Sequence, residues 1–432
     1  MATDLAEHIE HLRIANTHEH LQKEEGWVQE GPGILRALFE NYVLADLHTA
    51  GATREQMRLL LDDSNPDVRG RFEAIRPIWE RVQHTGYGEA VRRTAQRVYG
   101  IEELTPEAIE AAVPRHQELR KPGQRLHLLR EVGRMDHVQV DDFVWRCLPD
   151  RSGPDFFFYD ISWANFSNGY VHPKALFEET GVVVNDIASL RRALEALFEK
   201  YAPVAIAVKS QHAYNRTLAW RERSDAEADR ALQTILTLPE EQVPLATRLC
   251  LGDWAWAEGV RLSAEYGLPF KIHTGYYAGN DRMPTERIPA GHLCPLLAKY
   301  PQARFVLMHI AYPYQGELVA IAKHYRNVWI DFCWAWSIDP FSSEDALRRC
   351  LHAVPINKVL GFGGDTFWPT ASVGYAEQAR AGVRRALEAE IRDGHLTERQ
   401  AIAVATQVLY QNAAELFPLE ETRAAIARAL AA

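Results

Sequence analysis

Eight short runs of apolar, β-branched and aromatic residues recur along this chain, and their order limits the folds open to it. The first leads into Ile14-Ala15-Asn16-Thr17-His18-Glu19-His20, and the others fall at 137–140, 156–159, 204–208, 269–272, 305–308, 328–332 and 359–362. Stretches with apolar residues at helical spacing lie between several of them, at 187–200, 226–236, 253–266, 293–299, 317–325 and 343–354. Strand and helix in alternation argue for a parallel α/β sheet. Eight such units predict a (β/α)8 barrel, with a doubly wound sheet as the other arrangement.

The rest of the chain is read around that barrel. Its 432 residues, 47% hydrophobic, are enough for a large core and suit a barrel with insertions. Residues 1–12 read as a short helix, and 22–50 as a connection around Gly31-Pro32-Gly33 followed by a helix. Residues 53–133 are too long for a simple connection and read as a mostly helical insertion after the first strand. Within it, Thr105-Pro106-Glu107 has a capping residue followed by proline, the pattern of a helix start. Residues 375–392, 397–415 and 419–431 read as closing helices, and the whole of 1–432 as one domain.

Charge and cysteine content exclude several classes of function. The net charge is -10 with no basic run, which disfavours nucleic-acid binding through phosphates. No stretch of about 18 apolar residues predicts a membrane span. Asp4, Glu7 and His8 near the start do not fit a secretory signal. The 5 cysteines are odd in number and widely spaced, so free thiols in a reducing, cytoplasmic compartment are expected.

In a barrel of this kind the chemistry lies at the C-terminal ends of the strands. His18 and His20 alternate along the first strand, so both project from one face, an arrangement suited to a divalent metal. Taken alone, such a pair is as well explained by two solvated histidines. Further polar residues emerge after later strands: Lys209-Ser210-Gln211-His212-Ala213-Tyr214-Asn215-Arg216, His273-Thr274-Gly275, His309-Ile310-Ala311-Tyr312-Pro313-Tyr314 and Gly363-Gly364-Asp365. Any one could be a satisfied core residue. Six ionisable groups at equivalent strand ends predict a metal centre.

These motifs resemble those of the amidohydrolase superfamily over about residues 13–416. The match is nearest to the amidohydrolase-related branch, which includes amidohydrolase domains fused to glutamine-synthetase-like proteins. The resemblance implies a metal-dependent barrel enzyme. Members hydrolyse amides, lactones and esters, deaminate, decarboxylate aromatic acids or isomerise uronic acids. It implies a divalent ion on His18, His20, His273 and Asp365, with zinc expected first and manganese or iron also compatible. Asp365 would act as ligand and as general base toward an activated water, and His309 as a second acid/base group or electrophile.

Lys209 separates two readings. Carbamylated, it would bridge two ions; as a free ammonium it would bind a substrate carboxylate, helped by Arg216. The resemblance favours one ion over two. The reaction expected first is hydrolysis of a small carboxylate-bearing amide, lactone or ester. Decarboxylation or uronate isomerisation on the same ligands is the alternative, and a non-catalytic interaction domain a third possibility. Tyr214, Tyr276, Trp334 and Trp368 are candidate substrate contacts among the aromatics near the mouth. The resemblance also makes a homo-oligomer an expectation.

Overall fold

The computed structural model describes residues 4–431. Eight strands form one sheet in sequence order: β1 (Ile14–Glu19), β2 (Met135–Val140), β3 (Phe157–Ser162), β4 (Ala205–Ser210), β5 (Phe270–Ile272), β6 (Phe305–Leu307), β7 (Val328–Asp331) and β8 (Val359–Leu360). Every neighbouring pair is parallel. The sheet curls until the amide of Thr17 donates to Phe362 O at 3.0 Å, and helices surround it. This is the expected (β/α)8 barrel. Helices cover the outer face and side chains fill the lumen, so all six residues of β1, of β3 and of β4 are buried. That is why these strands read as apolar runs rather than alternating ones.

Strand limits fall within three residues of those read from the sequence, and His20 lies just past the end of β1. The inserted helices begin earlier than expected. Glu24–Glu30 and Ile34–Phe39 flank Gly31-Pro32-Gly33, and helices continue with short breaks to the turn before β2. Gly86-Tyr87-Gly88, which reads as a break, instead opens the helix Gly86–Thr94, because Thr85 Oγ1 accepts from the amide of Gly88 at 3.0 Å. Thr105 caps Pro106–Ala111 as its sequence predicts.

Leu35, Phe39, Trp79 and Ala90 of the inserted helices belong to the same apolar core as Val208 and Phe305 of the barrel. Most of the insertion therefore shares the barrel's core, apart from a small cluster of Val98, Leu119 and Leu128 with Val373 of the closing helix. The long helix Pro369–Arg392 starts six residues before its expected limit, because proline opens its first turn. All five cysteines are unpaired. No helix among the described residues is long and apolar enough to cross a membrane.

Candidate metal centre

The backbone after β8 runs beside the end of β1 and brings an aspartate to two histidines. The amide of Asp365 donates to His18 O, and that of His20 to Thr366 O, both at 2.9 Å. Asp365 itself has φ +57, a strained conformation for a residue with a side chain. Gly364 precedes it because a Cβ there would lie 2.0 Å from the buried carboxylate of Glu19. Glu19 in turn accepts from the Thr366 amide at 2.6 Å and the Ser372 hydroxyl at 2.5 Å, fixing the loop. From the insertion, the Tyr42 hydroxyl donates to Asp365 O at 2.5 Å.

Three potential ligand atoms converge as a result. Asp365 Oδ1 lies 3.1 Å from His18 Nε2 and 3.2 Å from His20 Nε2. Lys209 Nζ stands 3.2 Å from His18 Nε2. His309 Nε2 lies 3.9 Å from Asp365 Oδ2 and 2.9 Å from His273 Nδ1. All six side chains are buried.

The hydrogen bonds on the far sides of the rings fix where the protons are. A carbonyl only accepts, so His20 Nδ1 donates to Asp141 O, His309 Nδ1 to Cys333 O and His273 Nε2 to Tyr276 O. The opposite nitrogen of each neutral ring is then a lone pair aimed inward. Two such lone pairs, on His273 and His309, face each other at 2.9 Å, and a third, on His20, faces a carboxylate oxygen at 3.2 Å. Acceptors gathered this closely need a proton or a cation between them. Two imidazoles and a carboxylate are a suitable donor set for zinc; Asp141 O orients the His20 ring, while His18 Nδ1 faces the buried carboxylate of Asp160 at 3.8 Å without a hydrogen bond.

Electrostatics agree with a cation site. Burial lowers the pKa of His18, with Lys209 reinforcing it, and pushes His309 down to about 3. His273 is held well below the usual range by burial and by His309. Both rings stay neutral at ordinary pH. Burial opposes ionisation of Asp365, but its hydrogen bonds with His18 and His20 prevail and hold it well below the usual carboxylate range. His20 is raised despite burial, because Asp365 favours its charged form. A proton on His20 is thus what a metal would displace.

A cleft of about 360 Å3 opens onto His20, His273 and Asp365. Tyr214, Tyr42, Phe143 and Phe367 line it, together with Ser162, Asn165, Asn168, Gln211 and Asn215, whose side chains carry hydroxyl and carboxamide groups. The two phenyl rings stack against His20, at 4.3 Å for Phe143 and 5.5 Å for Phe367. Among the expected substrate contacts, Tyr214 therefore reaches the cleft.

The others are placed differently. Arg216 is buried and turned away. It donates to Asp253 Oδ1 at 2.5 Å and to the carbonyls of Ser167, Thr217 and Ala219, so four of its five N–H donors are engaged away from the cleft, which it does not line. Trp334 packs edge-on behind His309, with ring centres 5.3 Å apart. Trp368 is tied to the insertion through Glu40 O at 3.1 Å. Tyr276 contributes its carbonyl to His273, and its ring lies against Tyr312 and Trp334. His273 approaches the centre through His309; two sets of ligand atoms that share Asp365 lie within 4.8 Å of one another, one with His18 and His20 and one with His309 and Cys333.

The carboxamide lining is absent from the sequence reading. Ser162 and Asn165 do emerge from the end of β3, but the neighbouring Trp163 and Phe166 draw attention first and prove to be core. Tyr42 lies far from every strand end in sequence and gave no signal.

The amidohydrolase family model matches residues 173–419. The chain belongs to that family, and it is a metal-dependent enzyme of the amidohydrolase superfamily. Its fold is similar over nearly the whole length to two solved structures. One is the uronate isomerase of Thermotoga maritima, 15% identical, with a TM-score of 0.79 and 96% of each chain covered. The other is the glucuronate isomerase of Caulobacter crescentus, 15% identical, with a TM-score of 0.76 and 95% of this chain and 92% of that one covered. Protein fluG of Emericella nidulans is 28% identical over 231 residues, 51% of this chain. The chain spans 26% of the length of that curated relative.

Proposed function

We propose that this enzyme hydrolyses a small carboxylate-bearing amide, lactone or ester, with one divalent ion, zinc by preference, on His18, His20 and Asp365. The observation that carries the reading is the cluster of inward lone pairs around an ionised aspartate. Bound there, a divalent ion would supply Lewis acidity and lower the pKa of water toward about 7.

The chain's own groups then have separable tasks. Asp365 Oδ2, the oxygen turned toward His309, takes the proton of the attacking water and returns it to the leaving nitrogen or oxygen. His309 is neutral, with its proton fixed on Nδ1, so it orients rather than donates. The ammonium of Lys209 attracts the substrate's charged oxygen, since Arg216 is engaged with Asp253. Asn165, Asn168, Gln211 and Asn215 hydrogen-bond the uncharged polar part of the substrate. Phe143 and Phe367 exclude water from the His20 side.

A second reading, aldose–ketose isomerisation of a uronic acid, is supported by the same carboxamide lining, which suits sugar hydroxyls. The whole-length likeness to uronate isomerases speaks only for the fold. One experiment separates the two. Zinc-reconstituted protein is incubated with a panel of N-acyl amino acids, lactones and aryl esters, and separately with glucuronate, and products are read by NMR. Hydrolysis that vanishes in Asp365→Asn supports the proposal. A ketose from glucuronate with no hydrolysis across the panel replaces it with the second reading.

A further inference from the structure

We propose that His352, Glu390 and His395 form a second divalent-metal site, of the zinc type, on the outside of the barrel. The three residues come from different places. His352 is in the last turn of the helix Pro340–Ala353, Glu390 near the end of Pro369–Arg392, and His395 in the turn that follows. Their ligand atoms lie within 4.8 Å of one another. They open onto a surface cleft of about 510 Å3, separate from the one at the barrel mouth.

The carboxylate is the built part of this site. Glu390 is only 1% exposed, which is unusual for a glutamate on an outer helix. Arg348 Nε donates to its Oε1 at 2.5 Å and fixes its orientation. Oε2 is thereby left facing His352 Nε2 at 2.7 Å. The chain then reverses through Gly394, at φ +79, and the His395 amide donates to Glu390 O at 2.9 Å. That turn brings the His395 ring to 4.9 Å from the His352 ring, at 73° to it. Two imidazoles and an oriented carboxylate with open coordination positions match the ligands zinc takes, and the hydrogen bond from Arg348 to the other carboxylate oxygen fixes the ligand as an outer partner does. In the metal-free protein a proton between His352 and Glu390 occupies the place of the cation. Binding would lock the end of Pro369–Arg392, the helix that begins just after Asp365, to its neighbour.

This site changes how metal is counted. Two ions per chain would reflect one at the barrel mouth and one outside, not a two-metal catalytic centre. The test is elemental analysis of the full chain after chelator treatment, zinc reconstitution and gel filtration. Wild type, His18→Ala, His352→Ala and His395→Ala are compared. His395 is exposed, so its truncation leaves the fold intact, and it keeps the comparison valid if His352→Ala disturbs Glu390. The expected result is that His352→Ala and His395→Ala each carry about one zinc fewer than wild type, while His18→Ala retains the outer ion. Equal zinc in wild type and His395→Ala overturns the proposal, whatever happens at His18.

Discussion

Lys209 Nζ stands 3.2 Å from Nε2 of His18, with both side chains buried and neither among the residues that line the cleft. The lysine is thus part of the ligand cluster rather than a residue of the mouth. Arg216 is turned away and paired with Asp253, so it adds no charge here.

If Lys209 acts as an ammonium, Lys209→Ala keeps the barrel ion and loses substrate attraction. The expected outcome is unchanged zinc and a fall in kcat/KM of about 100-fold or more. Loss of about one zinc with the lysine would instead mark a carbamate bridge between two ions.

Tyr42 connects the insertion to the chemistry. Its hydroxyl holds the carbonyl of Asp365, the residue kept at φ +57. Tyr42→Phe is expected to cost about 1 kcal/mol of stability and to lower kcat by about tenfold, with KM little changed, because the base is misplaced rather than removed. Wild-type kcat in Tyr42→Phe would show that the insertion only covers the site.

Arg216 is predicted to be structural. Its guanidinium shares the buried Asp253 carboxylate with Arg223, whose Nε donates to Oδ2 at 3.1 Å, so Asp253 keeps a partner in Arg216→Met. The expected loss is about 1–3 kcal/mol, from the Ser167, Thr217 and Ala219 carbonyls left without this donor. Denaturant melts of wild type and Arg216→Met test this. A raised KM at wild-type stability would return Arg216 to the substrate.

Asp331 gives a pH dependence with a definite sign. Burial lifts its pKa from 3.8 to about 6, against hydrogen bonds from the Thr17 hydroxyl and the Cys333 amide. The folded state therefore holds this proton more tightly than the unfolded state. Its stabilising contribution is full below pH 3.8 and is lost as pH rises through about 6. Asp331→Asn keeps the acceptor for the Cys333 amide and does not titrate. Relative to wild type it should gain about 2 kcal/mol between about pH 4 and about pH 7. Urea melts at both pH values check it; a constant difference would show that the buried carboxyl does not titrate in this window.

The strands and the strand-end histidines were legible because both are local signals. A buried parallel strand is a continuous apolar run, and a polar residue closing one is conspicuous. What escaped depends on pairs distant in sequence. The partner of Arg216 is 37 residues away, and the segment from Arg216 to Asp253 shows nothing of their contact. Tyr42 and Asp365 are 323 residues apart, joined only because the insertion shares the barrel core. Trp334 and Trp368 read as mouth residues in the sequence, yet both are buried, since large rings gain more from burial than from facing water.

The account's central claim is that His18, His20 and Asp365 hold a divalent ion. The most direct measurement is the zinc content of purified, reconstituted wild-type protein beside Asp365→Asn and His20→Ala, with folding checked by circular dichroism. The account predicts that each folded variant carries about one zinc less than wild type. Folded variants with the wild-type zinc content would contradict it.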